Sequence, residues 1–313
     1  MTVPTATGDR PLLIVNPRAA RIHDAGRRSE ITAAAVAAVR ARTGSDPQVE
    51  EGPPDAAAQA IDAAPDAPLV VAIGGDGTIR HVAECLAGRP TPLAVVPAGT
   101  GNVLAGALRI AGIGPAMEAI RAGSPRRIDL GEARWGSSDA VAPTGRSRFL
   151  VACGVGLDAR IMAAAEHEWK RRMRFGAYVG AAVRELTRLR SSRFRIDADG
   201  TALEIDGYLA LVANAGELVP GRIGPRRPID PSDGRLELIV VGGRDPVAGL
   251  HSAARLLLAT DELHDGVIRR SVRRLRIEAE PAQPVEVDGD HLPPGWLEAE
   301  ILPGALTVIA RPA

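Results

Sequence analysis

The sequence predicts an α/β domain followed by an antiparallel β-rich domain, and three observations carry that division. Leu69-Val70-Val71-Ala72-Ile73 runs straight into Gly74-Gly75-Asp76-Gly77-Thr78 and then into a helical pattern of Ile79, Val82, Ala83 and Leu86. The same order of strand, glycine turn and helix recurs from Leu93 to Leu108, with Ala98-Gly99-Thr100-Gly101-Asn102 at the turn. Beyond Arg127 short alternating segments separated by turn residues take over. A length of 313 residues fits about two domains. The division expected is 1–128 and 129–313, with the extreme C-terminal segment able to pack back on the first.

Taken in order, Leu12-Leu13-Ile14-Val15-Asn16-Pro17 reads as a buried strand that proline cuts off. Ser29 to Arg42 is an Ala/Val-rich helix with serine as its cap, followed by a short strand at Pro47 to Glu51 and a helix at Pro54 to Ala64. Gly114 to Gly123 is one more helix. Strands are then expected at Arg148 to Cys153, Arg193 to Asp197, Ala202 to Asn214, Arg235 to Val241, Ile268 to Glu278, Val285 to Val287 and Leu306 to Ala310. Helical spacing interrupts them at Ala159 to Arg190, whose Lys170, Arg171, Arg172, Arg174, Arg184 and Arg188 form a basic face, and at Val247 to Thr260. Gly136 to Arg146, rich in Ser, Gly and Pro, is expected to lack regular structure.

Composition narrows the function. Lys+Arg and Asp+Glu both number 38, so no net field favours nucleic acid. Lys170 is the only lysine, no Gly-Lys pair exists, and a Walker A site is therefore excluded. Cys85 and Cys153, the only cysteines, sit in apolar patterns and read as buried thiols of a reducing cytosol. Met1 to Arg10 lacks the apolar core of a signal peptide, and no apolar run reaches the ~18 residues of a membrane span. A cytoplasmic protein is expected.

The two glycine turns carry the chemistry. Glycine lets the backbone pass where a Cβ would clash, so amide N–H groups can converge on an anion, here a phosphate, at the next helix's N-terminus. The helix dipole adds only ~0.3–1 kcal/mol, which leaves most of the grip to backbone hydrogen bonds. Asp76 is the odd residue: a carboxylate aimed at phosphate implies either Mg²⁺ between them or a different job. Asn16, at the carboxyl end of the first strand, is a candidate nucleotide contact or an ordinary Asn-Pro turn. Two glycine loops on one sheet edge would flank a nucleotide together.

The series Leu13-Ile14-Val15-Asn16-Pro17, Gly74 to Thr78, Pro97 to Asn102, Pro228 to Leu236 and Val287-Asp288-Gly289-Asp290 resembles the diacylglycerol/sphingosine kinase family, in particular its soluble bacterial lipid kinases. The resemblance implies a three-layer, NAD kinase-like α/β domain, then an antiparallel β-sandwich, with the active site in the cleft between them. It implies that Asn16, Gly74, Gly75, Asp76, Gly77, Thr78, Gly99, Thr100, Gly101 and Asn102 hold ATP and its Mg²⁺. Asp288 would be the base, with Asp76 also catalytic. A structural Mg²⁺ would sit at the Asp233 carboxylate with the backbone carbonyls of Asp230 and Arg235. The activity implied is transfer of the γ-phosphoryl group of ATP to a lipid hydroxyl, diacylglycerol to phosphatidic acid, at the inner face of the membrane, by a peripheral enzyme that could act as a homodimer. NAD kinase and a non-catalytic lipid- or nucleotide-binding protein of the same fold are the alternatives. The sequence departs from the family pattern at Arg18-Ala19-Ala20 after Asn-Pro, at Arg80, at Val103, and at the thinned glycines Gly221 and Gly224.

Overall fold

The computed structural model describes residues 10–156, 191–216, 229–243 and 267–311. The expected helices at 159–190 and 247–260, the basic face of the first, and Gly221 and Gly224 lie outside these residues. The chain divides into two compact units, one reaching to Asp129 and including Gly304 onward, the other Leu130–Pro303.

The first unit is built from β1 (Leu12–Val15), α1 (Ala25–Thr43), β2 (Gln48–Glu51), α2 (Pro54–Ala63), β3 (Val70–Gly74), α3 (Asp76–Leu86), β4 (Leu93–Pro97), α4 (Val103–Ala107) and α5 (Ile113–Ala122). Every residue of β1, β3 and β4 is buried. Such strands, apolar on both faces, need helices on both sides of a parallel sheet. The pairing meets that need: β1 lies between β2 and β3, β4 follows β3, and the segment after Gly304 adds a further parallel strand beside β4, with Val308 opposite Leu93. The chain steps from β1 to β2 in one direction and from β2 to β3 in the other. Right-handed crossovers therefore place α1 on one face and α2 and α3 on the opposite one. Consistent with this, α1 packs on α5 and α2 on α3. The buried residues of α1, Ile31, Ala35, Ala38 and Val39, form one stripe. Its cap is Asp24, whose carboxylate accepts the Arg27 N–H at 2.9 Å. The expected Ser29 lies inside the helix, because α1 begins a turn earlier.

The second unit is antiparallel. Its strands are β5 (Ser124–Ser137, entering from the first unit), β6 (Gly145–Phe149), β7 (Ala152–Val155), β8 (Ser192–Ala198), β9 (Thr201–Ala213), β10 (Leu236–Gly242), β11 (Val267–Val272), β12 (Arg274–Glu280), β13 (Pro284–Val287) and β14 (Asp290–Ala310, leaving to the first unit). In β8, Phe194, Ile196 and Ala198 point inward while Arg193, Arg195 and Asp197 face out. Long strands serve two layers: β9 pairs with β8 through its first half and with β7 and β10 through its second, and β14 pairs with β13 and then β12. Gly207 marks the changeover in β9, since a Cβ there would lie 2.6 Å from the Val241 carbonyl oxygen. Phe149, Phe194, Val212, Leu238, Val285 and Leu297 belong to the core so enclosed.

Two expected strands are broken, each by a carboxylate that captures backbone amides. Arg148 to Cys153 splits into β6 and β7 at Leu150-Val151, and Ile268 to Glu278 splits at Arg273, where Asp199 accepts the N–H groups of Arg273 and Arg274. Gly136 to Arg146 is an ordered hairpin connection: the Trp296 indole donates to the Ala140 carbonyl at 2.8 Å and the Thr144 amide to that of Trp135.

Candidate active site

The strand order of the first unit reverses between β1 and β3, and in open α/β sheets ligands bind beyond the strand ends at such a switch point. Asn16 leaves β1 there and Gly74 ends β3. The Asn16 amide group donates to the Thr78 hydroxyl at 2.8 Å, and its oxygen accepts the Arg18 N–H at 3.0 Å. The side chain thus ties the end of β1 to the first turn of α3 while folding its own Asn-Pro turn, so both readings of Asn16 meet in one residue.

The glycine loops touch backbone to backbone. A Cβ on Gly74 would lie 2.5 Å from the Thr78 Cβ, one on Gly99 would strike the Gly75 Cα, and one on Gly101 would lie 2.8 Å from the Asp76 carboxylate. Asn102, held at φ 54°, closes its loop around Gly99 by accepting that residue's N–H at 2.9 Å and donating to its carbonyl at 2.8 Å. Asp76 has a job of its own. Its carboxylate accepts the N–H groups of Asn102 at 2.6 Å and Val103 at 2.8 Å, capping α4 and locking one glycine loop to the other. Burial raises its pKa, and the amides of Asn102, Val103 and Leu104 pull it back.

With Asn16, Asp76 and Asn102 engaged in holding the loops, the exposed parts are Gly77, Thr100 and Gly101. The helix α3 starts at Gly75 with no side-chain cap. Its first amide donors are the kind of group an anion satisfies.

In the second unit Asp288 and Gly289 form the two-residue turn between β13 and β14, with φ of 46° and 88°, as Asp-Gly favours. The Asp288 carboxylate accepts the N–H groups of Leu150 at 2.7 Å, Val151 at 2.9 Å and Ala152 at 3.0 Å. From the other side Asn214, fully buried, donates its amide to the Leu150 carbonyl at 2.9 Å and its backbone N–H to that of Val151 at 2.8 Å. The segment 150–152 is pinned between them. Asn214 escaped the sequence reading except as the end of a strand; the available signal was an amide directly after the apolar run Leu209 to Ala213.

Asp230, Asp233 and Arg235 share one turn. Asp230 Oδ1 accepts the Ser232 hydroxyl at 2.7 Å and N–H at 3.1 Å, Asp233 Oδ1 accepts the Arg235 N–H at 2.9 Å, and Gly234 takes φ 72°. Among the described residues no group of three or more His, Cys, Asp or Glu side chains is spaced to hold a metal ion. A cation here would depend on backbone carbonyls or on a ligand's oxygens.

Two family profiles match: the diacylglycerol kinase catalytic domain over residues 10–133, and the YegS C-terminal NAD kinase beta sandwich-like domain over residues 151–310. The chain belongs to the YegS-like diacylglycerol kinase family. Its residues 10–133 are the kinase catalytic domain of that family. A diacylglycerol kinase of Mycobacterium tuberculosis is 29% identical over 246 residues, 77% of this chain and 76% of the other. An uncharacterised protein of Synechocystis is 24% identical over 247 residues, 77% of this chain, which spans only 54% of that relative. A diacylglycerol kinase structure from Bacillus anthracis superposes with a TM-score of 0.69 at 23% identity, over 98% of this chain and 99% of the other, a likeness of fold. Among the described residues no helix is long and apolar enough to cross a membrane.

Proposed function

We propose that the protein is an ATP- and Mg²⁺-dependent lipid kinase that transfers the γ-phosphoryl group to a lipid hydroxyl, with diacylglycerol as the acceptor. The observation that carries this reading is the pair of glycine loops packed backbone to backbone at the β1/β3 switch point, within a diacylglycerol kinase catalytic domain. Phosphoryl transfer asks for positioning and neutralised charge more than for covalent chemistry. The exposed backbone of Gly77, Thr100 and Gly101 supplies amides for the phosphates, while Asn16, Gly74, Gly75, Thr78, Gly99 and Asn102 keep the loops in shape. In this reading Asp76 is a positioning residue, since its oxygens hold the Asn102 and Val103 amides. Bound Mg²⁺ supplies charge neutralisation at the phosphates. A structural ion would be held by the Asp233 carboxylate with the carbonyls of Asp230 and Arg235.

Asp288 takes the proton of the lipid hydroxyl. Three amide donors fix the direction of its carboxylate, which is what a general base requires, and a base contributes typically 10²–10⁴-fold. The test is transfer of labelled phosphate from ATP to lipids in mixed micelles, with NAD as a parallel acceptor. Labelled phosphatidic acid is expected, lowered about 10²–10⁴-fold in Asp288→Asn, with the thermal midpoint read beside it because asparagine gives up one acceptor of the 150–152 amides. Wild-type turnover in that variant removes Asp288 as the base, labelled NADP assigns the protein to NAD phosphorylation, and ATP binding without any product assigns it to binding alone. Flotation with anionic vesicles tests the peripheral attachment to the inner membrane face that a lipid acceptor requires.

A further inference from the structure

We propose that Glu286 is a positioning residue of the acceptor site that works as the neutral carboxylic acid, and that its ionisation switches the site off. The inference rests on the lipid kinase reading and deepens it with a control by pH.

Glu286 stands in β13 between Val285 and Val287, which both enter the core. Alternation turns it to the other face, where its register row runs through Gly154 of β7 to Leu211 of β9 and Ile239 of β10. Gly154 contributes no side chain, and among the described residues the next side chains of the row, Leu211 and Ile239, are apolar, with Arg269 of β11 beyond them. The residue is 7% exposed, it accepts the Gly289 N–H, and its Oε2 has no hydrogen-bond partner among the described residues. A buried carboxylate with an unsatisfied oxygen is costly, and a proton removes that cost.

The surrounding groups favour the acid. Asp288 lies two residues on in the same hairpin, Asp290 opens β14, and His291, the register partner, is exposed. From β7 the nearby titratable group is the Cys153 thiol, itself pushed well up by burial and then by Asp288 and Glu286. Burial first, then Asp288 and Asp290, push Glu286 up to about 7 against the pull of the Gly289 amide. As an acid, Glu286 presents an O–H donor next to Asp288. As a carboxylate it would lose that donor and set a second buried charge beside Asp288. The sign follows: the folded pKa lies above the ordinary carboxyl value, so the neutral form and its contribution are complete at low pH and are lost as pH rises through about 7.

The experiment compares wild type, Glu286→Gln and Asp290→Asn between about pH 5.5 and 8.5, reading both phosphoryl transfer to the acceptor and the thermal midpoint. Wild-type transfer is expected to fall about tenfold per pH unit above the transition, Glu286→Gln to show no such limb, and Asp290→Asn, which removes a negative neighbour, to move the limb to lower pH. The wild-type midpoint should fall against that of Glu286→Gln from the acid end of this range up to about pH 7, where only the folded state still holds the proton, and run parallel to it above. A limb retained in Glu286→Gln, or midpoints that run parallel below about pH 7 as well, overturns the assignment of Glu286 while leaving the kinase reading intact. Diverging midpoints with transfer to no acceptor overturn the kinase reading and the positioning role with it. If Glu286→Gln does not fold, the direction of the Asp290→Asn shift decides.

Discussion

A Cβ is the unit that separates folding from ligand approach in the glycine loops. Gly99 faces the Gly75 backbone, and an alanine there must push the two loops apart. Gly77 has nothing within 4 Å of the position its Cβ would take, and it lies in the first turn of α3. Gly99→Ala is expected to cost about 1–3 kcal/mol, as overpacking does, and to weaken ATP binding at least tenfold by calorimetry. Gly77→Ala should leave stability equal or raise it by roughly 0.5–1 kcal/mol, because alanine is the better helix residue. A loss of ATP binding in that second variant would then report ligand contact alone. Strong binding in both variants removes the loops from the nucleotide site.

At the scale of elements, carboxylates do much of the joining. Asp24 starts α1, Asp76 starts α4, Asp199 ends β11 and Asp288 ends β6 and begins β7, each by accepting backbone N–H groups. Asp76 joins elements that lie 26 residues apart in sequence. Hydrogen bonds to a charged acceptor are worth about 1.5–3 kcal/mol each, partly offset here by the burial that disfavours the charge. Asp76→Ala is accordingly expected to lower the free energy of unfolding by about 1–3 kcal/mol in urea titration. A change below about 0.5 kcal/mol would mean that the carboxylate does not hold α4. The break at Leu150-Val151 was invisible to periodicity because Phe149 to Cys153 is one unbroken apolar run, whereas the break at Arg273 coincides with a phase slip, from apolar Ile268 and Val272 to Leu275 and Ile277; in both the carboxylate that captures the amides lies far away in the chain.

The whole molecule depends on a crossing that sequence order conceals. Residues 304–310 close the parallel sheet of the first unit: Leu306, Val308 and Ile309 are fully buried, Asp129 accepts the Gly304 N–H at 2.7 Å, and Gly88 donates to the Ala305 carbonyl at 2.8 Å. Three such side chains at roughly 1.5–3 kcal/mol each approach the stability of a domain, ~5–15 kcal/mol. Truncation after Pro303 is expected to unfold the first unit, read as lost hydrogen-exchange protection at Val71 and Val95 with protection retained at Val212 and Ile239. Retained protection at Val71 would show that the last strand is dispensable. The sequence by itself determined what local patterns encode: the buried runs of β1, β3 and β4, the glycine turns that follow β3 and β4, the period-two strands of the second unit, and the Asp-Gly turn at Asp288. Each depends on sterics and hydrophobic periodicity among near neighbours. Only the tertiary structure decided which amides Asp76 and Asp288 bind, that Asn214 and Asp288 pin one segment from opposite sides, and that Glu286 is buried with an oxygen unpaired. Those are properties of groups brought together across 26 to 138 residues, and no local period carries that information.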